Sequence, residues 1–600
     1  MNSDPIGITR AVARCSSQPP LRILNVRLSE TSSPVATKEP DSPMQGVAAD
    51  AVAPALPQGD RIEAQRAVCE AIAQLVRAGQ PEIRQLGELF ALERHAQPVT
   101  RLLLGQYVEG DGQLRSLDWK AWRSAMQLSQ AFFQAHEYFL HHIRNTSDDT
   151  WTRHEPSILI QLFHHRKVEF LLRFIRYKKR NSGQWRLLHE LYRSALEREM
   201  PDRTNEAGET EGQRRTTSKL EQQYLQILLL EVMNTGQFSP REALWAHRWF
   251  ARWCGGPALQ LSKVNGGIER GMQGFVVDLD GSEGLKRVSG AAGNFLCLDS
   301  SPLAVLIGQE IAALTDSAVL QIRATPAECA GQLALLNKLA ILFSPDPIDI
   351  ERRAERKPVA HTVQAIAGFS YIVAELRRNA QKRNHSDPST ATSGSENTIS
   401  PFGGSTFLPT FTAGGNADQA TLSVTDQLNA IPQFWQVKDR SDTGCRMRGQ
   451  IDNMNRVIPG SLIAIRDSDT APWTVSVVRW FRRLMVDHVE IGIEYLGRKP
   501  RLIKLVADHD RDVAVDMLPD STSKCFAALY LPPSEQRPTI PIKTLLLPAR
   551  EFRAGFEVTL LSSSATYRMR LNEPIQNQFE FVLTSFTVIE KAAPLRPGIQ

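Results

Sequence analysis

The residue types with the clearest potential for chemistry lie together in the segment QVKDRSDTGCRMRG, residues 436–449. Asp439, Ser441 and Gly444 form the pattern D-x-S-x-x-G there. A carboxylate accepts hydrogen bonds from N–H donors, a hydroxyl can bridge two groups, and a glycine lets the backbone approach a ligand closely. The set therefore predicts a site for a small polar ligand. The alternative is a turn in which Asp439 and Ser441 only cap backbone N–H groups.

Arginines near this pattern would extend such a site to anions, because the planar guanidinium binds phosphate oxygens and the O6/N7 edge of guanine. Arg446 and Arg448 are two residues apart and so share one face of a predicted strand. Further candidates lie in a later strand, and they are Arg479, Arg482 and Arg483. Residues 434–506 hold thirteen Lys or Arg and eight Asp or Glu, an excess equal to the +5 of the whole chain.

A second acidic pattern follows a hydrophobic run at residues 275–281, FVVDLDG. It resembles the first motif of haloacid-dehalogenase-type phosphatases, a strand that ends in D-x-D-G. The resemblance implies Asp278 as nucleophile and Asp280 as general acid/base. That family also needs a parallel sheet, a Lys and an acidic pair for Mg²⁺, and we find only Thr325 as a candidate for its downstream Thr. We favour a strand that ends in an Asp-Gly turn and keep the phosphatase as a remote alternative.

Metal and nucleic-acid sites are not predicted. His136 and His141 belong to an H-E-x-x-x-H pattern, but residues five apart on a helix point about 140° away from each other. Residues 166–186 carry eight Lys or Arg against one Glu, with aromatic residues between them. Such a run can bind nucleic acid, but it is more typical of a solvated helix end beside an apolar core. We therefore expect no metal and consider a nucleic-acid partner unlikely.

The first half of the chain is predicted to be helical. From about residue 58, apolar residues recur at spacings of three and four, which is the period of an amphipathic helix. The clearest helical stretches are 119–143, 157–180, 184–199, 218–234 and 240–253. One stripe, made by Trp185, Leu188, Tyr192 and Ala195, is faintly similar to a tetratricopeptide repeat. Helix pairs of this kind can stack as a solenoid, although no fixed repeat length is visible.

Residues 261–383 combine both kinds of pattern and predict a small α+β module. The predicted strands are 275–281, 294–300 and 318–325. The predicted helices are 302–314, 327–342 and 359–378.

Beyond residue 425 the chain is rich in predicted strands, beginning with 434–441, 445–451, 461–467, 473–483, 489–497 and 501–506. Apolar and polar residues alternate through 489–495, as in a half-buried strand. The apolar phase changes at Val477-Val478, which predicts a β-bulge. Short connections favour an antiparallel sheet closed into a barrel. A further group of strands after residue 508 predicts a second β domain.

The order of these features resembles the PilZ family of bacterial cyclic di-GMP receptors. That family has a six-stranded barrel whose first strands carry D/N-x-S-x-x-G, here Asp439, Ser441 and Gly444. A later G-[VI]-x-[FY] pattern of the family matches residues 492–495, GIEY. The resemblance covers residues 434–506, about an eighth of the chain. It implies cyclic di-GMP as the ligand.

The chain departs from the family in its arginines. PilZ receptors carry R-x-x-x-R just before the first strand, whereas residues 384–437 contain no Lys or Arg. One solution is that the upstream segment RRNAQKR, residues 377–383, folds back onto the barrel. Another is that arginines within the barrel replace the motif, namely Arg446, Arg448, Arg479, Arg482 and Arg483. A third is that the domain does not bind the nucleotide.

Taken together, the sequence predicts a multidomain α and β protein that is not an enzyme and lies in the bacterial cytoplasm. Its seven cysteines are few and scattered, which favours a reducing compartment, and no apolar run is long enough to span a membrane. We expect a cyclic di-GMP effector that acts on an unidentified protein partner through its helical region, or alternatively a nucleotide-free PilZ-like scaffold.

The expected regions are a disordered tail (1–57), a helical region (58–260), an α+β module (261–383), a flexible linker (384–425), a PilZ-like barrel (426–508) and a second β domain (509–600).

Overall fold

The computed structural model describes most of the chain in separate stretches, and the statements below concern these residues. They are 61–77, 79–109, 117–178, 182–198, 219–256, 258–264, 274–287, 295–315, 326–345, 355–386, 431–450, 457–485, 488–507, 525–533, 542–561 and 565–592. The predicted tail (1–57), the predicted strand 318–325 and most of the predicted linker (384–425) lie outside them.

The N-terminal half is helical, as the apolar periodicity predicted. Its helices are α1 (Arg61–Arg77), α2 (Ile83–Glu109), α3 (Leu117–Asn145), α4 (Asp149–Thr152), α5 (Glu155–Ile175), α6 (Ser182–Glu197), α7 (Lys219–Val232) and α8 (Pro240–Trp253). Local sequence explains where α8 begins. The Ser239 side chain and the Glu242 side chain form a capping box, and Pro240 occupies the first turn, where its missing N–H is not needed.

These helices pack around one apolar core that contains several of the largest buried side chains, among them Phe139, Phe163, Tyr224 and Phe250. The predicted stripe on α6 is confirmed, because Trp185, Leu188, Tyr192 and Ala195 are all buried. Helices α1, α3, α5 and α7 lie side by side in that order.

A small sheet continues the helical core. It consists of β1 (Leu261–Val264), β2 (Gly274–Asp278), β3 (Lys286–Arg287) and β4 (Phe295–Asp299), in the order β1-β4-β2-β3 with antiparallel pairs, and α9 (Ser301–Thr315) and α10 (Pro326–Leu342) follow it. Phe275 and Leu298 of the sheet and Leu335 of α10 belong to the same apolar cluster as the helices. The predicted boundary at residue 260 therefore crosses a continuous core.

The third part is a closed antiparallel barrel of six strands with the order β10-β7-β6-β5-β8-β9. Its strands are β5 (Lys357–Ala367), β6 (Gln433–Arg440), β7 (Gly444–Gln450), β8 (Leu462–Arg466), β9 (Thr474–Arg483) and β10 (His488–Arg498). The predicted alternation in β10 is confirmed, since Val489, Ile491, Ile493 and Tyr495 all enter the barrel core. The predicted bulge is confirmed too, because β9 skips Arg479 in its pairing with β10.

The first strand of this barrel was missed. The sequence predicted a helix over 359–378, but residues 357–367 form β5, and α11 begins only at Phe369 and runs to Ser386. Val363 and Ile366 are three residues apart, and the apolar residues of α11 continue at similar spacings. The whole segment therefore has a helical period, which explains the wrong prediction. Gly368 separates the two elements with φ +97°, a conformation that glycine adopts without strain.

A second closed barrel completes the described chain, in the order β11-β12-β13-β16-β15-β14. Its strands are β11 (Arg501–Ala507), β12 (Cys525–Leu531), β13 (Thr544–Pro548), β14 (Glu557–Leu561), β15 (Thr566–Asn577) and β16 (Phe581–Ala592). The segment 501–506 was predicted as the sixth strand of the first barrel, and that was wrong. It pairs with β12 and β14 instead, because β5 already closes the first barrel.

Helix α11 lies against both barrels, in contact with β5, β8 and β11. Phe369, Ile372 and Val373 of this helix share an apolar cluster with Leu462 of the first barrel and Leu529 of the second. Among the described helices, none has the length and apolarity needed to cross a membrane.

Candidate functional site

The D-x-S-x-x-G pattern forms the tight connection between β6 and β7. The Ser441 backbone N–H donates to the Gly444 carbonyl at 2.8 Å, and the Ser441 hydroxyl donates to the same oxygen at 3.2 Å. A Cβ on Gly444 would lie 2.1 Å from the carbonyl oxygen of Ile493 in β10. Glycine is therefore required where β7 meets β10, and Ser441 stabilises the turn.

Asp439 holds two guanidinium groups. Its carboxyl side chain is largely buried, with one oxygen 2.7 Å from Nε of Arg446 and the other 3.3 Å from Nη1 of Arg356. Arg446 lies directly opposite Asp439 in the β6–β7 pair. Because the side chains of Arg356 and Arg446 are 39% and 41% exposed, both retain N–H groups that face solvent.

A row of side chains continues from Asp439 across the outer face of the barrel. The strand register places Asp439 beside Arg446, Arg446 beside Gly492, and Gly492 beside Trp480. A Cβ on Gly492 would lie 2.0 Å from Nε1 of Trp480, so the indole covers the backbone of β10 at this glycine. The face thus combines a carboxylate, two arginines and a partly exposed aromatic ring.

Two of the other predicted arginines have acidic partners of their own. Arg448 lies 3.4 Å from Glu490, and Arg479 lies 2.5 Å from Glu494. Both partners belong to β10, so these ion pairs cross the same outer face. Of the five predicted substitutes for the missing motif, the structure brings Arg446 to Asp439 and pairs Arg448 and Arg479 with glutamates, and it places Arg482 and Arg483 at the end of β9.

Arg356 is the residue that the sequence analysis missed. It directly precedes β5, the first strand of the barrel, and residues 352–356 read RRAER. Arg352 and Arg356 therefore have the R-x-x-x-R spacing of the PilZ family at the position where the family carries it. Arg352 lies outside the described residues. The motif was sought before residue 434 because β5 had been interpreted as part of a helix.

The alternative source of arginines, the RRNAQKR segment, lies on α11. There Arg378 pairs with Glu375 of the same helix at 2.7 Å. The arginine that contacts Asp439 is Arg356 instead. It lies 21 residues before Arg377, the first residue of the RRNAQKR segment.

The end of β6 is fixed by a further ion pair. Arg440 lies 2.8 Å from Asp467, which also accepts from His361 Nε2 at 3.0 Å when that nitrogen carries a proton. The hydrogen bond from Arg440 holds the pKa of Asp467 below its usual value despite partial burial. Burial inside the barrel raises the pKa of the neighbouring Cys445 to about 11, which favours the neutral thiol.

The sheet topology is incompatible with the phosphatase alternative. Asp278 ends β2, but that strand pairs antiparallel with both of its neighbours, whereas the phosphatase resemblance requires a parallel sheet. The Asp278 carboxylate accepts from the Asp280 backbone N–H at 2.9 Å, and Asp280 lies 2.7 Å from Arg193. These contacts are those of a turn at the end of a strand, as we favoured.

The basic run at 166–186 is more buried than a solvated helix end. Arg166, Lys167 and Arg176 are all less than one-tenth exposed. Arg166 and Arg173 both pair with Glu169, and the Arg166 guanidinium also lies 3.7 Å from the ring centroid of Phe133. These contacts place much of the run inside the helical core rather than on a face open to nucleic acid.

A closed six-stranded antiparallel barrel with D-x-S-x-x-G between its second and third strands defines a PilZ-type domain. Residues 377–500 match the family model described as the middle PilZ domain of the cyclic-di-GMP receptor FimW. Residues 47–264 match the model for the N-terminal domain of the same receptor. The chain therefore belongs to the PilZ-domain family of cyclic-di-GMP receptors. No curated protein and no solved structure matches it significantly.

Proposed function

We propose that this chain binds cyclic di-GMP on the outer face of the first barrel, around Asp439, and passes the binding signal through the helical region to a protein partner. The observation that carries the proposal is the pairing of Arg356 with Asp439. It joins the arginine that precedes the first strand to the D-x-S-x-x-G turn, and these are the two parts of the family's motif.

The charges and shapes on this face suit a cyclic dinucleotide. Two guanidinium groups against one carboxylate leave a local excess of one positive charge, and the ligand carries two phosphates. The free N–H groups of Arg356 and Arg446 can bind phosphate oxygens or the O6/N7 edge of guanine. The indole of Trp480, beside Arg446, offers a flat surface on which a guanine can stack.

Phe481, the residue after Trp480, connects this face of the barrel with the helical region. Phe481 points into the barrel core, and its ring centroid is 4.6 Å from that of Tyr177, which follows α5. The Phe481 backbone N–H donates to the Gly236 carbonyl at 2.8 Å, and the Tyr177 hydroxyl donates to the Phe238 carbonyl at 3.0 Å. The α7–α8 connection is therefore bonded to β9 beside the proposed ligand face.

The backbone of Tyr177 supports a mechanical role for this joint. Its φ is +53°, a left-handed conformation that costs a residue with a side chain about 1–3 kcal/mol. Burial of the ring in the barrel core offsets this cost. We propose that nucleotide binding shifts β9 and changes this joint, so that the helical region presents a different surface to its partner.

A second candidate is a PilZ-like scaffold that binds no nucleotide. The observation in its favour is that Arg446, Arg448 and Arg479 already have acidic partners, Asp439, Glu490 and Glu494. A ligand would have to compete with these ion pairs, and the carboxylates of Asp439 and Glu490 are buried.

Calorimetric titration of the full chain with cyclic di-GMP, and with cyclic di-AMP as a control, separates the two candidates. The receptor proposal predicts saturable heat with cyclic di-GMP and at least tenfold weaker binding of cyclic di-AMP, whose adenine lacks the O6 acceptor. No heat and no increase in melting temperature at high micromolar cyclic di-GMP would favour the scaffold.

We also propose that the protein is an effector rather than an enzyme and that it works in the cytoplasm. The cysteines support the location, because each of the six in the described residues is a free thiol.

A further inference from the structure

A cluster of metal-binding side chains lies in the helical core, far in sequence from the PilZ domain. Glu93 of α2, His136 of α3 and His165 of α5 come together there, and each is less than one-tenth exposed. One carboxylate oxygen of Glu93 is 3.3 Å from Nε2 of His136, and the other is 2.5 Å from Nε2 of His165. The three ligand atoms all lie within 4.8 Å of one another.

No metal site was predicted from the sequence, because the only pair considered on this helix was His136 and His141, whose side chains point in different directions. The fold supplies ligands from two other helices instead. Each residue extends from a regular helix, so the three side chains are held by three separate backbones that pack together. Phe132 stacks on the His165 ring at 4.9 Å and Phe90 contacts the His136 ring at 5.5 Å, so the imidazoles are oriented by apolar neighbours.

The polar partners of the cluster are limited. Within the described ranges, both hydrogen bonds of the Glu93 carboxylate go to the imidazoles, and neither ion pair involves Lys or Arg. Nδ1 of His136 has no hydrogen-bond partner there, whereas Nε2 is hydrogen-bonded to Glu93, so metal binding through Nε2 would place the imidazole proton on Nδ1. The buried carboxylate therefore depends on the two imidazoles for its stabilisation, since a buried charge without a partner is costly.

We propose that Glu93, His136 and His165 bind a structural zinc ion that fastens α2, α3 and α5 together. Two imidazoles and a carboxylate are ligands that zinc prefers, and a bound cation would stabilise the buried carboxylate. Ligands of one tetrahedral zinc ion lie about 3.3 Å apart, as Glu93 and His136 already do. The carboxylate has to move away from His165 by about 1 Å. Because all three ligands are buried we assign the ion a structural role, with a water molecule as the fourth ligand of the tetrahedral zinc.

Metal content of the full chain, purified without a metal-affinity tag, tests the proposal. Zinc is quantified by mass spectrometry after dialysis against buffer treated with a chelating resin. We expect about one equivalent in the native chain and in His141→Gln, a control on the same helix whose side chain is exposed. His136→Gln and His165→Gln should retain less than a tenth of that amount.

A second measurement does not depend on variants that fold poorly. The native chain is stripped with a chelator and titrated with Co²⁺, which gives a visible absorption typical of a tetrahedral site, and then with Zn²⁺. We expect the absorption to appear, to vanish with zinc, and the melting temperature of the helical region to rise. No zinc in the purified chain together with no effect of added zinc on melting would overturn the proposal, leaving a hydrogen-bonded His-Glu-His group.

Discussion

Arg356 and Asp439 are 83 residues apart in the sequence, yet a guanidinium nitrogen of one lies 3.3 Å from a carboxylate oxygen of the other. The pair joins the start of β5 to the turn between β6 and β7. Because β5 pairs directly with β6, the long segment between them does not separate the two halves of the motif. An arginine that precedes β5 can therefore reach the D-x-S-x-x-G end of β6 despite the long sequence between the two strands.

The aromatic residue on this face makes a first prediction. Trp480→Ala removes the indole that covers Gly492 beside Arg446, and stacking of one base on an aromatic ring contributes about 1–3 kcal/mol. We expect the affinity for cyclic di-GMP, measured by calorimetry, to fall at least fivefold. The control is Phe434→Ala, which removes another exposed aromatic side chain of the same barrel and should bind normally. Equal affinities of the two variants would remove Trp480 from the site.

The joint between barrel and helices makes a second prediction. Tyr177→Ala removes the contact with Phe481 and the hydrogen bond to Phe238 without touching the ligand face. We expect cyclic di-GMP affinity to stay within about threefold, while ligand-induced changes in amide hydrogen exchange of α7 and α8 disappear. Tyr138→Ala, within the helical region, serves as the control. A ligand-induced exchange pattern in Tyr177→Ala that equals the native one would show that the signal takes another route.

The buried Lys167 makes a prediction about pH. Burial lowers the pKa of Lys167 to about 8, and its ammonium or amine donates to the Gln226 side chain at 2.8 Å. The unfolded chain has a Lys pKa near 10.4, so between pH 8 and pH 10 it binds more protons than the folded chain. The free energy of unfolding should therefore gain up to about 1.4 kcal/mol per pH unit from this residue as pH rises through that window.

Chemical unfolding of the helical region, followed by circular dichroism at several pH values, checks this slope against Lys167→Met. The Met variant keeps the length of the side chain without the charge, so its unfolding free energy should increase less between pH 8 and pH 10. Parallel curves for the two proteins would mean that Lys167 titrates normally in the folded chain.

Much of the fold could be predicted from local patterns. In β10, Val489, Ile491, Ile493 and Tyr495 alternate with Glu490, Gly492 and Glu494 because one face of the strand fills the barrel. The bulge at Arg479 was visible as a change of apolar phase, since two adjacent valines must both be buried. The turn before Gly444 was recognised from its D-x-S-x-x-G pattern. A side chain at Gly444 would collide with the backbone of β10, which explains why this position is a glycine.

What escaped prediction depended on contacts between distant segments. Strand β5 forms only by pairing with β6 and β8, and its own residues fit a helical period equally well. The R-x-x-x-R spacing of residues 352–356, before this strand, was therefore overlooked. The Glu93, His136 and His165 cluster was invisible for the same reason, because each ligand comes from a different helix.

The most direct test of the proposed site compares Arg356→Ala with Arg550→Ala by titration with cyclic di-GMP at fixed salt. Arg356 contacts Asp439 in the first barrel, whereas Arg550 is an exposed arginine of the second barrel. A charge-assisted hydrogen bond contributes about 1.5–3 kcal/mol, so Arg356→Ala should bind about 10 to 100 times more weakly than the native chain, with Arg550→Ala unchanged. Native affinity in a folded Arg356→Ala protein would contradict the assignment of Arg356 to the nucleotide site.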